Sequence, residues 1–172
     1  MAWIIVPLIA VLVAILALLI RSGLTRLRDD VRQSWHQLDL LLLERHDLMP
    51  GLLECCAGHL QYEQEAFERV AKADAAVARA AAAADIPALS AAEKSLRDSI
   101  ARLLAIAENY PQLGADPAFA SPRDQLERLG PAIDEGRERY NCSANLQNVR
   151  GDAFPYRLLA RSMGIRPAAL LA

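Results

Sequence analysis

The sequence predicts an all-α protein, an N-terminal transmembrane helix followed by an up-down antiparallel four-helix bundle. Three observations carry this. Ala and Leu dominate, and β-branched residues thin out beyond the first twenty positions, which favours helix over strand. Apolar residues recur at steps of three and four from Val31 to Val77, the signature of one helix face packed on others. Positions 2–20, AWIIVPLIAVLVAILALLI, carry no charge at all. The predicted division is a transmembrane anchor at 1–21, a cytoplasmic bundle at 22–150 and a C-terminal amphipathic segment at 151–172.

The anchor comes first. At about 1.5 Å per residue the run reaches roughly 29 Å, the thickness of a hydrocarbon core. Its Ile, Leu and Val residues favour insertion by about 5 kcal/mol in sum. Pro7 falls close to the helix start, where a lost backbone bond costs little. No basic stretch precedes the run and no small-x-small site follows it, so an uncleaved anchor fits better than a signal peptide. Trp3 is expected at one interface. Arg21, Arg26, Arg28 and Arg32 follow the run, which places the short N-terminus outside and residues 21–172 in the cytoplasm of a cell whose inner membrane the chain crosses once. Three cysteines, Cys55, Cys56 and Cys142, form no disulfide framework and suit a reducing compartment.

The bundle follows. The apolar row runs Val31, Trp35, Leu38, Leu42, Met49, Leu53, Cys56, Leu60, Phe67, Val70, Val77, and Arg45, Glu63 and Asp74 interrupt it. Pro50 lies inside the row. A proline in mid-helix costs about 3 kcal/mol, so a break is expected near 47–50, with Asp47 as cap and Pro50 in a new first turn. The alternative is a continuous kinked helix. The second helix is expected to reach Ala84. A third starts near Ser90, with Glu93 completing a capping box, and stops at Tyr110-Pro111. PQLGADPAFASP reads as a loop. A fourth helix starts near Pro122, presents Leu126, Leu129, Ile133 and Tyr140 on one face, and ends at Arg150-Gly151-Asp152. The tail, with Arg157, Arg161 and Arg166 among apolar residues, reads as a short amphipathic helix docked on the bundle or on anionic lipid.

Net charge is −2, from 19 basic and 21 acidic residues, and aromatic residues are few, so neither a basic field nor stacking platforms point to nucleic acid. Arg45-His46-Asp47 looks like proton-transfer equipment. Neighbouring helix positions point about 100° apart, however, so a packed corner explains the triplet as well as chemistry does. Cys55, Cys56 and His59 have spacing compatible with one metal but form an incomplete ligand set, so neither metal nor cofactor is expected.

Several stretches together carry a resemblance: the anchor, then SWHQLDLLLLERHDLMPGLLE, then ENYPQLGA, then RYN followed by AFP. The chain resembles the LemA family of bacterial membrane-anchored proteins. The matching positions include Trp35, Asp39, Arg45, His46, Asp47, Pro50, Glu54, Glu108, Asn109, Tyr110, Pro111, Tyr140, Asn141, Phe154 and Pro155. Gly51 departs from the family pattern, and so does Gln147-Asn148, which stands where a second Tyr-Asn is expected and loses weight as a special position. The resemblance implies a helical bundle behind one anchor, no established catalytic activity, and those positions as motif residues that serve either helix packing or a shared interaction surface. Some members are associated with magnetosome formation, which makes membrane organisation a fair role. The expected function is a membrane-anchored scaffold or adaptor whose partners are the lipid bilayer and other membrane or cytoplasmic proteins. The alternatives are a lipid-engaging organiser and a membrane-anchored enzyme using His46.

Overall fold

A computed structural model describes residues 2–59 and 64–171, with the side chains of 2–6, 13, 58 and 59 left out of the description. Leu60 and Glu63 of the apolar row, and the side chains of Trp3 and His59, therefore lie outside the described residues. The described residues form six helices and no strand: α1 Ala2–His59, α2 Gln64–Ala82, α3 Ile86–Ala107, α4 Pro111–Gly114, α5 Pro117–Asp152 and α6 Tyr156–Ser162. One of them, α1, is long and apolar enough to cross a membrane. Its most apolar stretch has a mean hydropathy of 2.4, and only 12% of that stretch is buried.

The break expected at Pro50 is absent, because α1 runs through it as one helix. Asp47 is therefore exposed and caps nothing. The balance of magnitudes explains this. Interrupting the ladder costs about 3 kcal/mol, while burying Met49 and Leu52 stabilises by about 1.5–3 kcal/mol each. Pro50 itself is exposed.

The expected start of the third helix is also corrected. Ala84 takes a left-handed backbone, φ 51°, and closes α2 with paired bonds from Ala84 N–H to Ala81 C=O and from Asp85 N–H to Ala80 C=O. That reversal leaves Asp85 as the cap of α3, its Oδ1 accepting from Ala88 N–H at 3.1 Å, with a proline in the first turn. Ser90 thus lies inside α3, and Glu93 belongs to no capping box. The stretch PQLGADPAFASP is not a loop. Pro111 opens α4 and Pro117 opens α5, each where its missing N–H is harmless. Asp116 Oδ1 accepts from Ala118 N–H at 2.9 Å in the same way as Asp85. Pro122 and Pro131 then lie inside α5 without ending it.

The chain divides into two compact units, each described by itself: residues 1–35 with 139–169, and residues 36–138 with 170–172. The second is an up-down four-helix bundle. The α1 residues Glu54 and Ala57 face Phe67 and Gln64 of α2, α2 residues 66–76 face 102–95 of α3, and α3 faces α5 through Arg97 and Asp134. Leu38, Leu52, Val70, Leu89, Leu96, Leu103 and Ile133 fill its core. Gly136 lets α5 approach α1 closely, since a Cβ there would meet Leu38 Cδ1 at 3.3 Å. In the first unit α6 packs Tyr156, Leu159 and Ala160, with Met163 just past its end, on Ile20 and Leu24 of α1.

Candidate functional site

Two polar constellations, one in each unit, take in four of the motif residues: Arg45 and His46 in one, Trp35 and Tyr140 in the other. In the bundle, Arg45 and His46 leave α1 in different directions, and neither meets Asp47. Arg45 is buried and donates from Nη1 to Glu93 Oε2 at 3.0 Å, with a second contact from Nη2 to Oε1. This is the two-pronged geometry that guanidinium and carboxylate favour. Its Nε is buried with no hydrogen-bond partner among the described residues. His46 Nδ1 lies 2.6 Å from Oδ2 of the buried Asp74 on α2. Arg45 and Asp74, the interruptions of the apolar row that lie among the described residues, thus each meet a polar partner on another helix, as burial requires.

The His46–Asp74 pair is half of a catalytic arrangement, a base with its orienting carboxylate. The other half would be a nucleophile or substrate at Nε2, and among the described residues no group is hydrogen-bonded there. Helix geometry set Asp47 aside as a partner for this histidine, and periodicity named no carboxylate in its place. The correct one was visible as an acid on an apolar face.

Cys56 is buried, and burial beside Cys55 pushes its thiol up to about 11. The thiol is thus held protonated at neutral pH, which keeps it from alkylating agents. Among the described residues no three His, Cys, Asp or Glu side chains cluster to hold a metal. Glu54 and Pro50 are exposed. Glu108-Asn109-Tyr110-Pro111 forms the reversal between α3 and α4. Glu108 and Asn109 are exposed, Asn109 Nδ2 donates to Ala105 C=O at 3.4 Å, and Tyr110 C=O accepts from Leu113 N–H at 3.0 Å.

In the first unit Trp35 and Tyr140 meet edge to face, centroids 5.6 Å apart at 64°. Ser34 and Ser143 hydroxyls lie 3.0 Å apart just beside them. The Tyr140 hydroxyl donates to Ala169 C=O at 2.9 Å, and burial holds its pKa above the usual phenol value. Asn148 bonds Ala168 twice at 2.8 Å, Nδ2 donating to C=O and Oδ1 accepting from N–H. Gln147 Nε2 donates to Arg166 C=O at 3.3 Å. Three side chains of α5 therefore clamp the extended stretch after Gly164. Gln147-Asn148, discounted in the sequence, is the centre of that clamp, because its amides serve a backbone that no periodicity announces. Asn141 and Asp39 are half-buried. Phe154 is 83% exposed and precedes a cis Phe154–Pro155 peptide bond.

No curated protein matches the chain. The LemA family profile matches residues 34–172, which takes in the whole bundle, the clamp and the tail. On that match the chain belongs to the LemA family.

Proposed function

We propose that the chain is a single-pass membrane protein whose helical bundle acts as a non-enzymatic scaffold for other proteins, with the short N-terminus outside and the bundle in the cytoplasm. One observation carries the reading: the apolar stretch of α1 is only 12% buried. A core helix of a soluble protein would be mostly covered, so this surface calls for a bilayer. The arginines after Ile20 support this orientation. The scaffold role draws on the bundle's chemistry. Its buried charges are spent on one another, which favours holding a shape over transforming a substrate. Between α3 and α5 an open groove of about 320 Å³ has Ile100, Ala101, Leu104 and Leu126 on its walls and the Arg97–Asp134 pair at its rim. That lining suits an apolar side chain of a partner helix.

Anchoring raises the effective concentration at the bilayer, so weak contacts suffice. The test is co-purification from detergent with the wild type beside Ala101→Arg, a change on an exposed position of the groove. We expect a partner that the wild type retains and the variant loses by at least tenfold. A partner set identical for both removes the groove, and no specific partner at all removes the scaffold.

A further inference from the structure

We propose that α6 is a juxtamembrane element whose Arg157 and Arg161, with Arg166 from the extended stretch that follows it, bind the phosphate of anionic lipid headgroups. The inference rests on reading α1 as a membrane anchor and adds to it a specific ligand site. Four observations within the first unit lead to it.

The first is position. α6 packs on Ile20 and Leu24 of α1. Ile20 is the last residue of the uncharged run and Arg21 follows it. Leu24 lies four residues further, about 6 Å along the axis. The headgroup layer is about 5–8 Å thick on each side of the hydrocarbon. A helix held at this level lies in the headgroup layer.

The second is amphipathicity. Tyr156, Leu159, Ala160 and Met163 face α1, while Arg157, Leu158 and Arg161 face away. Leu158 is 66% exposed and Phe154 83% exposed. Large apolar groups presented next to cationic ones suit an interface where acyl chain meets headgroup, and are costly in bulk water.

The third is a cavity. Arg157, Arg161 and Arg166 line one pocket of about 240 Å³ together with Gln147, Asn148 and Asp152. The clamp by Gln147 and Asn148 fixes the backbone on which Arg166 stands. The fourth is unspent charge. Among the described residues none of the three guanidinium groups has a carboxylate partner, although Asp152 lines the same pocket. Guanidinium forks match phosphate oxygens two at a time, which makes a phosphate the natural counterion.

The test uses the full chain in neutral detergent, titrated with phosphatidylglycerol or with phosphatidylcholine of the same acyl chains and read by native mass spectrometry. The wild type should bind phosphatidylglycerol more tightly. Each arginine beside an anionic lipid surface contributes about fivefold. Arg161→Gln, on an exposed position, should lose about that factor, and the triple Arg157→Gln/Arg161→Gln/Arg166→Gln about 100-fold. A charge-matched triple in the bundle, Arg79→Gln/Arg102→Gln/Arg128→Gln, should lose nothing. Equal binding of both lipids overturns the proposal. So does an unchanged Arg161→Gln, or an equal loss in the control triple. Inorganic phosphate that binds alone and displaces the lipid at millimolar concentration would reassign the site to free phosphate and overturn the lipid assignment. Failure of the anchor reading shows separately, as release of the chain from membranes by alkaline extraction.

Discussion

Arg45 and Glu93 show what a buried charge costs at the scale of one residue. The pair is desolvated, and its members sit on helices 48 positions apart in sequence. Removing one partner leaves the other charged and unmatched. Glu93→Ala should therefore destabilise the bundle by about 3–5 kcal/mol, measured by denaturant unfolding in detergent. Arg45→Met/Glu93→Leu should fall within about 1 kcal/mol of the wild type, since apolar groups of similar volume replace buried pairs without loss and the buried Nε that lacks a partner disappears with the arginine. A double variant as unstable as the single one would show that the pair specifies the fold. At this scale the sequence was half legible. Arg45 and Asp74 stood out as polar residues on an apolar row. Their partners did not, because periodicity reports which face a residue occupies and says nothing of what lies opposite. His46 finds Asp74 at a separation of 28 residues, while the tempting neighbour, Asp47, points to solvent.

At the scale of elements, two helices end with the same pattern of bonds and different residues. α2 closes on Ala84 at φ 51°, and α6 closes on Gly164 at φ 66°, where Gly164 N–H bonds Arg161 C=O and Ile165 N–H bonds Ala160 C=O. A Cβ in the left-handed region costs about 1–2 kcal/mol. Ala84→Gly should thus stabilise the chain by about 1 kcal/mol, with a rise in Tm of about 3 °C, and Gly164→Ala should lower stability by a similar amount. Thermal unfolding followed by circular dichroism reads both. An unchanged Tm for Ala84→Gly would show that the extra freedom of glycine in the unfolded chain cancels the relief. Helix identity was legible here and helix ends were less so. Leu126, Leu129, Ile133 and Tyr140 are buried on one face of α5 as their spacing requires. The boundaries went astray at prolines. Proline opens α4 and α5, lies in the first turn of α3, and sits inside α1 and α5. Only packing decides which of these roles it takes.

For the whole molecule the question is which side of the membrane the fold occupies. The cysteines provide the probe. Cys142 is exposed and Cys56 is buried with its thiol pushed up to about 11. In a Cys55→Ser background, an impermeant maleimide at pH 7.5 should leave intact cells unlabelled and should label Cys142 alone once the membranes are opened. Labelling of intact cells would reverse the orientation. Cys56 should react only as the fold opens. Its folded value lies above the unfolded 9.0, so its contribution to stability is intact below pH 9 and is lost as pH rises toward 11. The membrane-length helix was plain from composition alone. The tail clamp was not, since Tyr140, Gln147 and Asn148 grip an extended backbone whose own side chains carry no code for it.

The prolines carry a consequence for motion. Each of Pro50, Pro122 and Pro131 withholds one amide from its rod, and with it the ladder bond to the carbonyl four positions earlier. Pro50 and Pro131 are exposed and Pro122 is half-buried, so solvent reaches these seams. Thermal opening of long helices begins where the ladder is thinnest. Amide exchange within α1 and α5 should accordingly start beside these prolines.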